Sequence, residues 1–349
     1  MYNEEKDRYR PRDRDRSSER RFDSQKEEKL YTPGWVRQLR VNPIPLLLQS
    51  TNPGIILDTY RYGYGLPSKY TEVEKAQRDV DRNPSTIRLL SIASDEDIKS
   101  STEAESAYGL EFLESLTRME KIIRAGVNRN HNLIQPHVVK LMKFAREDGR
   151  FPLLYHHHAH ACWVLLKLGL SGNRMLDKSI FWLLKRQRAD GGWLHRSLVP
   201  DSKTFDETAS CLWTTAEILQ MIVLRKSLLQ EIDYEKAVKF LLSNVEMENS
   251  SILMQSKSYW NKLASGAGNE AMFSGGTLKV LEIAADFGVH KYDPTVDKYV
   301  KWLKNLQMDN GLFPMDAGKM SIADESVTVR VISVFRKFAK NERISDNSA

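Results

Sequence analysis

Four histidines crowd one short stretch, His156-His157-His158-Ala159-His160, with Cys162 two residues further on. On a helix, His156 and His160 stand i, i+4 on one face, a spacing that can chelate a metal ion, and His157 and His160 stand i, i+3. Cys211 is a candidate third ligand, with Asp206 and Glu207 as alternatives, and zinc or iron, as a divalent metal cofactor, would suit such a set. The plainer alternative is a polar helix entry without metal. Two acidic clusters, Asp206-Glu207-Thr208-Ala209 and Asp324-Glu325-Ser326-Val327, each open an apolar stretch. With His157 and His158, the carboxylates Asp206, Glu207, Asp324 and Glu325 are the candidates for catalysis. The alternative for them is helix capping and first-turn acids.

These residues must be positioned by helices. Period-3.6 patterning predicts helices over about 156–168, 174–188, 206–224, 233–245, 272–287, 293–307 and 323–340. Amphipathic stripes at Leu110, Leu113, Leu116 and Ile123, then at Val138, Val139, Leu141 and Met142, predict two more before them. No segment reads as a strand. Three helices end alike, at Asp148-Gly149-Arg150-Phe151, Asp190-Gly191-Gly192-Trp193 and Asn310-Gly311-Leu312-Phe313. Trp182-Leu183, Phe240-Leu241 and Trp302-Leu303 recur at intervals of about 60 residues, each with a lysine four residues before the aromatic (Lys178, Lys236, Lys298). Self-similarity at this period signals stacked helical hairpins. The glycine caps a helix in the left-handed conformation. The last-turn glutamine, Gln187 or Gln307, has an amide suited to free backbone groups of its own or the next helix. On this pattern Cys162 and Cys211 hold corresponding places.

The 349 residues are 41% hydrophobic and 28% charged, an ordinary globular balance. A net charge of +6 does not by itself suggest nucleic acid. Two cysteines give no disulfide framework, so a reducing compartment, the cytoplasm, is expected. No apolar run approaches the roughly 18 residues of a membrane span, and the first thirty residues lack the apolar segment of a signal peptide. Residues 1–30 hold ten basic and nine acidic side chains and are expected to be a disordered, solvated tail. Prolines 33, 43, 45, 53, 67 and 84 limit residues 31–102 to an arm of short helices. The main domain is expected over 103–340, followed by a flexible C-terminus at 341–349.

Lys178–Trp193 resembles the QW motif of squalene and oxidosqualene cyclases, whose relatives include the β-subunits of protein prenyltransferases. Lys298–Phe313 is a looser copy, and Lys236–Met254 lacks both the glutamine and the glycine-aromatic end. Asp206-Glu207-Thr208-Ala209 is similar to the Asp-Asp-Thr-Ala opening of inner helices in those cyclases. The resemblance implies an all-α fold, an α/α toroid with inner helices around a central cavity and outer helices behind them. Inner-helix N-termini would then gather His157, His158, Asp206, Glu207, Asp324 and Glu325 at one mouth, where helix dipoles favour carboxylates. Trp163, Trp213 and Phe273 would line an isoprenoid cavity, and Tyr259 would close it. Their alternative role is packing between the two rings.

The family's catalytic signatures do not carry over. No Asp-x-Asp-Asp occurs: Asp79-Val80-Asp81 is followed by Arg82, and Asp95-Glu96-Asp97 by Ile98. Asp206 and Cys211 stand five apart and do not match the Asp-x-Cys pair of zinc prenyltransferases. Two functions therefore stand. One is binding or processing of an apolar, isoprenoid-type small molecule in the cavity. The other is a non-catalytic helical scaffold for a protein partner, with a side-chain-filled centre.

Overall fold

Proline sets the first elements. A computed structural model describes residues 30–91, 105–199, 204–245, 260–264 and 275–346. The charged tail therefore falls almost wholly outside the described residues, and so do Tyr259 and Phe273. By contacts, Met1–Pro33 and Gly34–Ala349 separate into two units, and the helices belong to the second. Pro43 precedes α1 (Ile44–Leu47). Pro53 is the first residue of α2 (Pro53–Asp58), and Asn52 Oδ1 accepts the Gly54 amide at 2.9 Å, the cap that the Asn-Pro-Gly triplet predicts. The chain continues without a break into a π-helical turn, Thr59–Tyr64, closed by Gly65. Then come α3 (Thr71–Arg82) and α4 (Pro84–Ser91), completing the arm of short helices.

The remaining helices are α5 (Glu105–Arg124), α6 (Ile134–Met142), α7 (Tyr155–Lys167), α8 (Arg174–Leu184), α9 (Leu212–Ile222), α10 (Tyr234–Asn244), α11 (Gly276–Asp286), α12 (Pro294–Asn305) and α13 (Glu325–Asp346). They form two sets. Helices α5, α7, α9, α11 and α13 pack on one another in chain order, and α13 packs on the π-helical turn and α2. Helices α6, α8, α10 and α12 pack on α5, α7, α9 and α11 respectively. The first set is central: in α9 every residue from Leu212 to Leu219 is buried. The second set is amphipathic. In α8 the buried residues Leu176, Ser179, Ile180, Leu183 and Leu184 make a single stripe.

The repeated terminator forms the seams between hairpins. Gly191 takes φ +94°, and a Cβ there would lie 2.7 Å from the backbone of Lys236 in α10. Glycine is needed for both reasons. Gly149 meets the backbone of Lys178 in α8 in the same way, so the repeated lysine marks where the preceding hairpin lands. Gln187 Nε2 donates to the carbonyls of Gly191 (2.9 Å) and Asp233 (2.8 Å), and its Oε1 accepts the Asp233 amide (2.9 Å). It thus serves its own helix end and the next helix start. Gln307 repeats these bonds with Gly311 O (2.9 Å), Val41 O (2.7 Å) and Val41 N (3.1 Å). The last seam of the chain is made with the residues just before α1. Trp193, fully buried, donates Nε1 to Leu183 O at 3.0 Å and so folds back over α8.

Three expectations are corrected. A two-stranded antiparallel hairpin, β1 (Phe313–Asp316) and β2 (Lys319–Asp324), stands where no strand was expected. The helix expected from 206 begins at Leu212, because the preceding loop is held open. Arg188 Nη2 donates to the carbonyls of Phe205 (3.0 Å) and Thr208 (2.8 Å), while Asp190 accepts both the amide and hydroxyl of Ser210. The C-terminal helix runs on to Asp346, into the stretch expected to be flexible.

Candidate functional site

A cavity of about 380 Å3 lies among the central helices. Its wall takes residues from six elements: α2 with the π-helical turn (Asp58, Arg61, Tyr62), α5 (Glu120, Arg124), α7 (His160, Trp163, Lys167), the end of α9 (Gln220), α11 (Lys279, Glu282, Asp286) and α13 (Arg330, Ser333, Lys337). Apolar wall comes from Ile123, Val127, Leu224 and Val329. This volume is in the range of small-molecule pockets. The π-helical turn brings Asp58, Arg61 and Tyr62 to the wall together, and such turns are frequent at functional sites.

A chain of buried charges that includes three wall residues, Glu120, His160 and Lys279, joins α5, α7, α9 and α11. His160 Nδ1 lies 3.0 Å from Glu217 Oε2, and its Nε2 lies 3.4 Å from Glu120 Oε2. Lys279 Nζ donates to the other Glu217 oxygen. Arg124 Nε donates to Glu120 at 3.0 Å. Glu120, Glu217, His160 and Lys279 are all buried. Burial alone would raise the Glu217 carboxyl, but the Lys279 and His160 charges and hydrogen bonds hold it down to about 2. Burial alone would neutralise His160, but Glu217 and Glu120 raise it to about 9, so it is an imidazolium at neutral pH. Arg330 pairs with Glu282 through two bonds of 2.8 and 2.7 Å, which overcome burial and keep that carboxyl ionised. Lys337 Nζ lies 2.6 Å from Asp286.

Asp58 differs from these carboxylates. Burial raises its carboxyl to about 7, with Arg61 and Lys167 only partly offsetting the rise. A group with that value can give or take a proton at neutral pH. Lys167 extends over the Trp163 ring, its Nζ 5.6 Å from the centroid.

The candidates read from sequence scatter. His160 and Trp163 are on the cavity wall. None of His157, His158, Asp206, Glu207, Asp324 and Glu325 is on it. His158 is buried, with Nε2 3.1 Å from Ser179 O and its ring stacked on Trp182, and burial holds it neutral, down to about 3. His157 shares a 3.2 Å contact with His156 and is held to about 4, again by burial. Asp206 and Glu207 are exposed. Asp324 is a cap, accepting the Val327 amide at 2.8 Å, and Glu325 accepts the Ser50 hydroxyl at 2.6 Å. The acidic clusters are not equivalent either. Thr215 and Thr328 do correspond, each accepting the amide of the terminator aromatic (Trp193 at 3.2 Å, Phe313 at 2.9 Å), and this aligns Cys211, not Asp206, with Asp324. Cys211 sits just before α9 while Cys162 lies well inside α7, so the cysteines do not correspond. Trp213 is buried and stacked on Trp260.

The metal set His156, His160 and Cys211 is not assembled. Among the described residues no three His, Cys, Asp or Glu side chains form a metal-holding group. The physical reason is plain for His160: two carboxylates hold both ring nitrogens protonated, and a ligand nitrogen must be bare.

Sequence reading missed Glu120, Glu217, Lys279, Glu282 and Asp58. A signal existed for two of them. Glu217 is the single charge in Leu212–Ile222, and Lys279 stands between the uncharged pairs Thr277-Leu278 and Val280-Leu281 in the first turns of its helix. Such a charge must find a partner in the interior. No protein-family model matches this chain, and no curated protein matches it significantly.

Proposed function

We propose that the helical hairpins close into an α/α toroid whose central cavity binds a small polar molecule. The observation that carries this reading is an open space of about 380 Å3 whose wall holds charged groups from five helices. Ring closure is supported by Gln307, which makes with Val41 the bonds that Gln187 makes with the next hairpin at Asp233. An open centre favours ligand binding over a scaffold filled with side chains. The charged wall favours a polar ligand over the isoprenoid-type substrate that the family resemblance implies. A hydrocarbon laid against Arg61, Arg124 and Lys167, which are not buried, would remove water from ionised groups without replacing its hydrogen bonds, at a cost of several kcal/mol per ion.

A thermal-shift screen tests this with polar metabolite classes and prenyl alcohols, using wild type and a Ser333→Phe variant that narrows the cavity. Polar compounds should raise the melting temperature of wild type and not of the variant. Stabilisation by prenyl alcohols alone, abolished by Ser333→Phe, would return the reading to an apolar substrate. Equal responses of both proteins would place binding outside the cavity.

A further inference from the structure

The charges of the cavity do not balance, and the imbalance identifies a ligand class. This inference rests on the proposed reading of the cavity as a binding site. Four carboxylates have cations at bonding distance: Glu120 with Arg124, Glu217 with Lys279, Glu282 with Arg330 and Asp286 with Lys337. Three cations are left on the wall, His160, Arg61 and Lys167, against one further carboxylate, Asp58. The excess is two positive charges. His160 is shared between carboxylates already matched. Arg61 and Lys167 have no carboxylate within ion-pair distance among the described residues. Arg61 donates to the neutral Gln77 at 2.8 Å, and Lys167 lies over the Trp163 ring. Lys167 is also solvent-exposed, so an incoming ligand can reach it.

Uncompensated cations lining one concave, partly apolar site raise the local concentration of anions and hold them by charge-assisted hydrogen bonds. We infer that the cavity takes a compact dianion, a phosphate monoester or a dicarboxylate, whose charged oxygens bind Lys167 and Arg61. Tyr62, on the same turn as Arg61 and also on the wall, offers a hydroxyl donor beside them. The ion pairs on the rest of the wall are already matched and leave no free carboxylate for an additional cation.

Isothermal titration at pH 8 and constant ionic strength tests this on the full chain. The probes are inorganic phosphate and malonate, with glycerol and choline as neutral and cationic controls. At least one dianion should bind one to one, and Lys167→Gln and Arg61→Gln should each weaken it about tenfold or more, as expected for a lost hydrogen bond to a charged group. Lys239→Gln, on the exposed face of α10, should leave the affinity unchanged. Binding of phosphate alone assigns phosphate esters, and binding of malonate alone assigns dicarboxylates. Failure of both dianions to bind wild type overturns the inference, as does equal weakening by Lys239→Gln, which would indicate general surface attraction. Glycerol or choline binding that Ser333→Phe removes would overturn the dianion while leaving the cavity reading intact.

Discussion

The seam at Gln187 and the buried charge at Glu217 use similar side chains in opposite ways. Gln187 is neutral, and its amide joins the end of α8 to the start of α10 through backbone groups alone. Glu217 is charged and fully buried, and its partners His160 and Lys279 come from helices 57 and 62 residues away in the chain. A neutral amide on backbone groups recurs wherever the same turn recurs. A buried carboxylate depends on particular distant residues, and removing one partner leaves a bare ion. The seam joins neighbouring hairpins, whereas the buried charges tie helices far apart in the chain to one another.

The largest expected effect comes from breaking the charged side of this comparison. Glu217→Ala leaves the Lys279 and His160 charges without their main counterion and should cost about 3–5 kcal/mol in denaturant unfolding. Replacing Glu217 and Lys279 together by methionine should recover much of that loss. A Glu217→Ala cost under about 1 kcal/mol would mean that the buried charges are solvated after all.

Titration sharpens the same point. His160 has a folded value of about 9 against 6.5 unfolded, so its contribution is fully present below 6.5 and is lost as pH rises to 9. At about 1.4 kcal/mol per unit, wild type should lose roughly 2–3 kcal/mol across that window, and His160→Gln should lose much less. Stability curves at pH 6, 7.5 and 9 check this.

The seams should respond less. Gln187→Ala and Gln307→Ala each remove backbone partners and should cost about 1–2 kcal/mol. Amide exchange distinguishes them: Gln307→Ala should speed exchange at Arg40 and Val41, and Gln187→Ala at Asp233. If Gln307→Ala leaves Arg40 and Val41 protected, ring closure through that seam is wrong.

Asp58→Asn is the smallest test. The Asp58 carboxyl is raised to about 7, so it costs the fold nothing below 3.8 and increasingly destabilises it as pH rises through 7. The variant should be about 1 kcal/mol more stable than wild type at pH 8, a discounted figure because the carboxyl keeps some solvent, and equal to it at pH 4.

What the sequence made legible was local. Gly191, Gln187 and the aromatic-leucine pair lie within one helix end, so a short pattern carries their geometry and its repetition reveals the hairpins. The start of α9 was misplaced because a carbonyl clamp by Arg188, seventeen to twenty residues back, holds Phe205–Thr208 out of helix. The histidine cluster misled because four neighbours on one helix point to different surroundings: His158 toward α8, His160 toward α5 and α9. The cavity wall was hidden because its residues converge only through tertiary packing. Only Glu217, the single charge of α9, and Lys279, set between apolar neighbours in α11, hinted at it.

If the helices enclose a site for a polar ligand, the protein should carry that ligand through purification. Mass spectrometry of small molecules released from untagged wild type and from Ser333→Phe tests it most directly. A polar anion should be released by wild type and be absent from the variant. A prenyl lipid released by wild type, or the same molecules from both proteins, would contradict it.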